Sequence, residues 1–140
     1  MDEKLFEEIK QFKRDLQSYK SYKEKIKRLY DKVLEMDTRL ENVKSPRFNA
    51  VPVHQGSTKN DLFLHLIEEK EKINNTIKAY ETIVSEVDRK LGKLTKEEQD
   101  ILKLVYMEHV PIRKIARVYY RSEPTMYRDI TDIILKIIEC

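Results

Sequence analysis

The chain has few residues that break a helix and nothing to cross-link it. Two glycines, four prolines and no tryptophan stand among 140 residues, a balance that fits a long-helix protein rich in Lys, Glu, Leu and Ile. The one cysteine, Cys140, excludes an intrachain disulfide. No apolar run is long enough to cross a bilayer, and the N-terminus carries no signal-peptide pattern, so a cytoplasmic protein without a membrane partner is expected. His54, His65, His109 and Cys140 are scattered without metal-ligand spacing. A Gly-rich phosphate loop, a nucleophile elbow and paired catalytic carboxylates are all missing. The expectation is a protein with no enzymatic activity, no metal and no cofactor. The net charge of +3 is too small to argue for nucleic acid by itself, so the distribution of charge matters more.

What the chain does have is period. From about residue 2 to 42, apolar residues fall at Leu5, Ile9, Phe12, Leu16, Tyr19, Ile26, Tyr30, Val33 and Leu40, with Lys23 and Asp37 in the two places where the seam breaks. Steps of four and three in alternation are the period of a coiled coil, and the intervening Lys, Glu, Asp and Arg suit a solvated face. Residues 43–58 lose that period and read as a loop, with Ser45-Pro46-Arg47-Phe48, Pro52 and Gly56. A second long helix is predicted over 59–91 from Phe63, Leu66, Ile73, Ile77, Tyr80, Val84, Val87 and Leu91, with Lys70 as the polar intrusion. Gly92 is placed to cap it. Two helices, each roughly 50 Å long, joined by a loop suggest an antiparallel hairpin over 1–92. A narrow two-helix seam buries little, so the hairpin is expected to pair with another copy. The alternative is a hairpin packed only on its own C-terminal domain.

From residue 93 onward the pattern shortens. Thr95-Lys96-Glu97-Glu98 spells a capping box, starting a helix with Ile101, Leu102, Val105 and Tyr106 on one face. Glu108-His109-Val110-Pro111 breaks it, and Pro111 suits the start of a short helix holding Ile112, Ile115, Ala116 and Tyr119. After Tyr120-Arg121, Ser122 is available as an N-cap, and Pro124 is tolerated in a first turn. The last helix continues through Met126, Ile130, Ile133, Ile134, Ile137 and Ile138. Three short helices with two tight breaks are what a helix-turn-helix needs, and Ala116 lets the second approach the third. The fold class is therefore all-α: a coiled-coil hairpin with a loop at 43–58, followed by a helix-turn-helix domain over 93–140. Between His109 and Arg128, five basic residues (Arg113, Lys114, Arg117, Arg121 and Arg128) face one acid, Glu123. With Tyr119, Tyr120 and Tyr127 nearby, that is the footprint expected of phosphate contact.

Leu94-Thr95-Lys96-Glu97-Glu98, Ile101-Leu102-Lys103-Leu104-Val105-Tyr106, Ile115-Ala116 and Ser122-Glu123-Pro124-Thr125-Met126 together resemble region four of sigma factors. The whole layout, a long helix, a Ser-Pro-Arg-Phe loop, a second long helix and this module, is similar to the ArpU/RinA-like phage and prophage transcriptional regulators. In the region-four pattern the turn positions held here by His109 and Tyr120 are commonly glycine, and an aromatic residue is unfavourable at positive φ. A longer or differently shaped turn is then expected. Nothing like a promoter-melting region precedes the module, which argues against a self-sufficient sigma factor.

The resemblance implies a sequence-specific regulator of phage or prophage genes, binding double-stranded DNA with a recognition helix over about 123–138. It implies that Glu123, Thr125, Tyr127 and Arg128 face the major groove, with Arg128 the candidate for guanine. Arg113, Lys114, Arg121 and Ser122 take the phosphate contacts. A homodimer through the long helices is expected, with RNA polymerase as a further partner. Two other classes stay open: a DNA-packaging subunit like a small terminase, and a coiled-coil adaptor whose C-terminal domain binds protein. A dimer favours regulation and a many-membered ring favours packaging.

Overall fold

The computed structural model describes residues 3–44 and 56–139, and these are almost wholly helical. Helix α1 runs Glu3–Lys44 and α2 runs Gly56–Leu91. Both intrude on the stretch predicted as loop, whose remaining residues 45–55 lie outside the described residues. Helix α3 covers Lys96–Leu102 and passes into a π-helical turn over Lys103–Met107. Two more helices follow, α4 at Ile112–Val118 and α5 at Glu123–Glu139. No helix among the described residues is long and apolar enough to cross a membrane.

The contacts divide the chain into two units: one is the chain up to Tyr22 together with the chain from Thr82 onward, the other Lys23–Glu81. This differs from a boundary at residue 92, and the reason is the core. Phe12 and Leu16 of α1, Val87 and Leu91 of α2, and Leu94 are buried in one cluster with Ile101, Leu102, Met107, Ile115, Ala116, Met126, Ile130, Ile133, Ile134 and Ile137. Two helices of seven residues cannot hold themselves together. The ends of α1 and α2 complete their core. Polar contacts follow the same packing: the Tyr19 hydroxyl donates to Asp88 at 2.6 Å, Lys20 pairs with Glu108, and the Lys90 ammonium lies 5.2 Å from the Phe12 ring centre.

In the Lys23–Glu81 unit, α1 and α2 run antiparallel, as the Asp37–Lys70 ion pair (2.5 Å) and the Tyr30–Glu81 hydrogen bond (3.0 Å) show. Met36, Val43 and Leu66 are buried there, flanked by Leu40, Phe63 and Ile73, and Ile77 is buried as well. The seam of α1 is therefore Ile26, Leu29, Val33, Met36, Leu40 and Val43, with none of them exposed. Tyr30, expected in the seam, is 47% exposed and lies beside it, as does Asp37. The predicted breaks at Lys23 and Asp37 vanish once the register moves by one residue onto Tyr22 and Met36.

Local backbone chemistry sets where each C-terminal helix starts and stops. The capping box forms as predicted: the Glu98 amide donates to Thr95 Oγ1 (3.2 Å), and the Thr95 amide donates to the Glu98 carboxylate (3.0 Å). Gly92 does not cap α2 in the left-handed conformation. Instead the chain tightens through Lys93 N–H to Lys90 (3.2 Å) and Leu94 N–H to Leu91 (3.0 Å). The π turn has a packing reason. Five residues separate the buried Leu102 and Met107, which α-geometry would turn about 140° apart; wider winding brings Met107 back toward the core side.

Left-handed backbone appears where glycine was expected. His109 and Tyr120 both have φ 54°. At Tyr120 the turn is a Schellman motif: its amide donates to Arg117 (3.2 Å) and the Arg121 amide to Ala116 (2.9 Å). At His109 the loop is one residue wider, closed by Glu108 N–H to Lys103 (2.9 Å) and Val110 N–H to Leu104 (2.8 Å). The turns keep the left-handed conformation rather than avoiding it. Each non-glycine residue held there costs on the order of 1–3 kcal/mol.

Two outcomes follow for stability. Residues 93–140 alone should show no cooperative thermal transition by circular dichroism, because Phe12, Leu16, Val87 and Leu91 are missing. A chain in which a short Gly/Ser linker replaces 23–81 should melt cooperatively, and Phe12→Ala in it should cost about 3–5 kcal/mol. The second outcome concerns acid. Glu98 is held below its usual carboxylate value of 4.5, first by the Thr95 amide and then by the Lys136 side chain. A carboxylate with a depressed folded pKa stabilises fully above its unfolded value and loses that contribution as pH falls through the folded one. The melting-temperature gap between the native chain and Glu98→Gln should thus be widest near neutral pH and shrink below about pH 4.5.

Candidate nucleic-acid interface

The first two turns of α5 expose Glu123, Pro124, Tyr127 and Arg128. Met126 and Ile130 are buried, anchoring the helix to Ile115 and Ala116 of α4. Arg128 lies two residues beyond Met126, about 200° round the helix, and is exposed. Tyr127 is 52% exposed, and Glu123 and Pro124 are exposed too. The helix starts there because Ser122 caps it, its Oγ accepting the Thr125 amide at 3.2 Å. Pro124 sits in the first turn, where no helical amide is needed.

A shallow groove joins α5 to the start of α4. It is lined by Val110, Pro111, Ile112 and Arg113 on one side and by Glu123 and Tyr127 on the other. Arg113, Lys114 and Arg117 of α4 are exposed, and with Arg128 they have no ion-pair partner among the described residues. Cations left uncompensated at an exposed surface suit an anionic ligand. The strained turn projects here as well. Tyr120 is 96% exposed, and Val118 before it 66%.

The predicted site residues separate into two groups. Arg113, Lys114, Glu123, Tyr127 and Arg128 belong to the exposed surface of α4 and α5. Arg121 does not. Its guanidinium spans Glu97 of α3 and Asp129 of α5, both at 3.1 Å, and lies 5.7 Å from the Tyr119 ring centre. Arg121 therefore serves as a clasp within the fold rather than as a free phosphate ligand. Thr125 is half-buried and accepts a hydrogen bond from the Ser122 hydroxyl at 2.7 Å, so both side chains are used in starting the helix. Thr125 and Arg121 line a separate cleft between α3 and α5 with Glu97, Glu98, Asp129 and Asp132. Lys136 crosses it to Glu98 at 3.0 Å. That side of α5 is acidic and internally paired.

Sequence reasoning assigns no individual contact to three exposed residues of the same surface, Arg117, Tyr120 and Thr131. Arg117 enters the basic footprint by charge, and its position two residues after the buried Ile115 signals exposure. Thr131, one turn beyond Tyr127, is exposed and donates its hydroxyl to the Tyr127 carbonyl at 3.0 Å. Tyr120 carries a signal in being an aromatic residue at a turn position. The Tyr119 hydroxyl, by contrast, is pushed above its usual pKa by burial, then by Asp100 and Glu97, and belongs to the interior side.

Comparison with known proteins gives one family. The profile described as "Protein of unknown function (DUF1492)" matches residues 42–137, from the last turn of α1 through nearly all of α5. No curated protein and no solved structure matches the chain. The match takes in α2, the capped α3, the Tyr120 turn and the exposed face of α5 over more than half of the chain, which therefore belongs to the DUF1492 family.

Proposed function

We propose that the chain is a sequence-specific DNA-binding regulator of transcription, with α4, the turn at residues 119–122 and α5 acting as a helix-turn-helix. The observation that carries this reading is the exposed start of α5. Arg128 projects opposite the buried Met126 and Ile130 and Tyr127 at the edge of the same exposed face, beside cations of α4 that form no ion pair among the described residues. A helix held from behind by a packed neighbour and free at its first turns fits the width of a major groove. Arg128 offers two parallel donors to guanine, Arg113, Lys114 and Arg117 meet phosphates, and the Tyr127 ring supplies an apolar contact. The likeness to phage and prophage regulators supports a role at phage genes.

The strained turn supports the same reading. A tyrosine almost fully in solvent contributes no packing, yet the backbone bears the cost of its left-handed conformation. Strain kept at an exposed side chain points to a contact made by that side chain. Tyr120 then stands at the phosphate backbone as a hydrogen-bond donor.

The test begins with a duplex selected from a random-sequence pool and a scrambled version of it. Arg128→Ala should cost about 1–3 kcal/mol on the selected duplex and little on the scrambled one. Lys114→Ala should weaken both nearly equally and reduce the salt dependence. Equal losses on both duplexes would move Arg128 to the phosphate class, and failure to enrich any duplex would end the proposal. For the turn, Tyr120→Gly should raise unfolding stability by roughly 1 kcal/mol as strain is relieved, net of the entropy of glycine. The same variant should bind DNA more weakly. Unchanged DNA affinity would remove Tyr120 from the interface.

A further inference from the structure

Helix α1 carries a second stripe beside its seam. Lys23, Lys27, Tyr30, Leu34, Asp37 and Glu41 follow each other by steps of four and three, the spacing of a coiled-coil contact line. Leu34, at its centre, is 66% exposed and Tyr30 47%. At 100° per residue, Tyr30 and Leu34 lie about 120° and 160° round α1 from the buried Met36. On α2, Ile67 and Leu64 lie about 100° and 160° round from the buried Leu66 in the same sense. In an antiparallel pair, equal rotation points both helices to one side, and the Tyr30–Glu81 and Asp37–Lys70 contacts bridge the helices on that side. This unit thus has an apolar broad face. The opposite face carries Arg39 paired with Glu35, and His65 with Glu69, with Leu62 at its rim.

We propose that this face is covered by the same face of a second copy, with the two α1 helices antiparallel across a two-fold axis. Charge selects that occupant. The stripe is basic at one end, apolar in the middle and acidic at the other, so it is complementary to itself only when reversed. An axis midway between Tyr30 and Leu34 sets Lys23 against the partner's Glu41, Lys27 against the partner's Asp37, and Tyr30 against the partner's Leu34. All three layers share one register. Area agrees: Tyr30, Leu34, Leu64 and Ile67 leave on the order of 400 Å² of apolar surface, near the non-polar share of the ~800 Å² that each partner buries in a standard interface. The proposal is independent of the DNA reading, because every residue it uses lies in the Lys23–Glu81 unit.

The 140-residue chain should sediment as a dimer at concentrations up to roughly 100 μM, where any stable dimer is populated. Glu41→Lys sets like charges at both ends of the contact and should shift the chain toward monomer, as should Leu34→Lys. Both side chains are exposed within one copy, so helicity by circular dichroism should not change. The swap Lys23→Glu with Glu41→Lys restores opposite charges across the axis and should restore the dimer. A native chain that stays monomeric overturns the proposal and leaves the face to another occupant, such as residues 45–55. An oligomer that the single changes do not weaken, or that the swap does not rescue, overturns it equally.

Discussion

The C-terminal helices depend on Phe12 and Leu16. Helices α3 and α4 have seven residues each, too few to persist in water, and α5 offers one apolar stripe to both. Phe12, Leu16, Val87 and Leu91 are buried with that stripe, so the long helices supply one wall of the short helices' core. Removing one large side chain from such a core costs about 3–5 kcal/mol, a large part of the stability of any small unit. The exposed face of α5 is steady only because its rear is packed in this way. The family match starts at residue 42, so Val87 and Leu91 lie within the matched span and Phe12 and Leu16 before it.

Around that core the charges are sorted. Carboxylates of α3 and of one flank of α5 are engaged by Arg121 and Lys136, which tie the two helices together. Arg113, Lys114, Arg117 and Arg128 have no such partner among the described residues. These exposed ion pairs are individually weak, worth less than about 1 kcal/mol each. Their effect lies more in position: they hold negative charge on one flank of α5, away from the cations of α4.

Much of this was legible in the sequence because its causes are local. The Thr95–Glu98 capping box, the Ser122 cap and the burial of Met126, Ile130, Ile133 and Ile134 each follow from a few neighbouring residues. Register over a long helix is different. Two contact lines one residue apart share the same spacing, so Tyr30 reads as a seam residue and Lys23 and Asp37 as breaks, although Tyr22, Leu29 and Met36 continue the buried line. Which line is buried is settled by α2, a separate helix distant in sequence. The π turn and the role of Arg121 were hidden for the same reason. Met107 has to reach a core that includes α1, and Arg121 has to find Glu97 on another helix.

The turns at His109 and Tyr120 show how little a residue preference constrains a backbone once packing is set. Glycine is favoured at such positions because a side chain crowds the left-handed conformation, and a longer turn was the expected escape. At His109 the loop is one residue wider and still left-handed; at Tyr120 the chain takes no longer turn, since Ala116 before it and Met126 after it are both fixed in one core. A longer loop would slide α5 along α4 and break the contact of Ile115 with Met126 and Ile130. Losing even one such side chain from the core would cost several kcal/mol, more than the 1–3 kcal/mol of one strained residue. Packing therefore fixes the left-handed geometry, and the identity of the residue at position 120 is left to be chosen by whatever its exposed side chain meets.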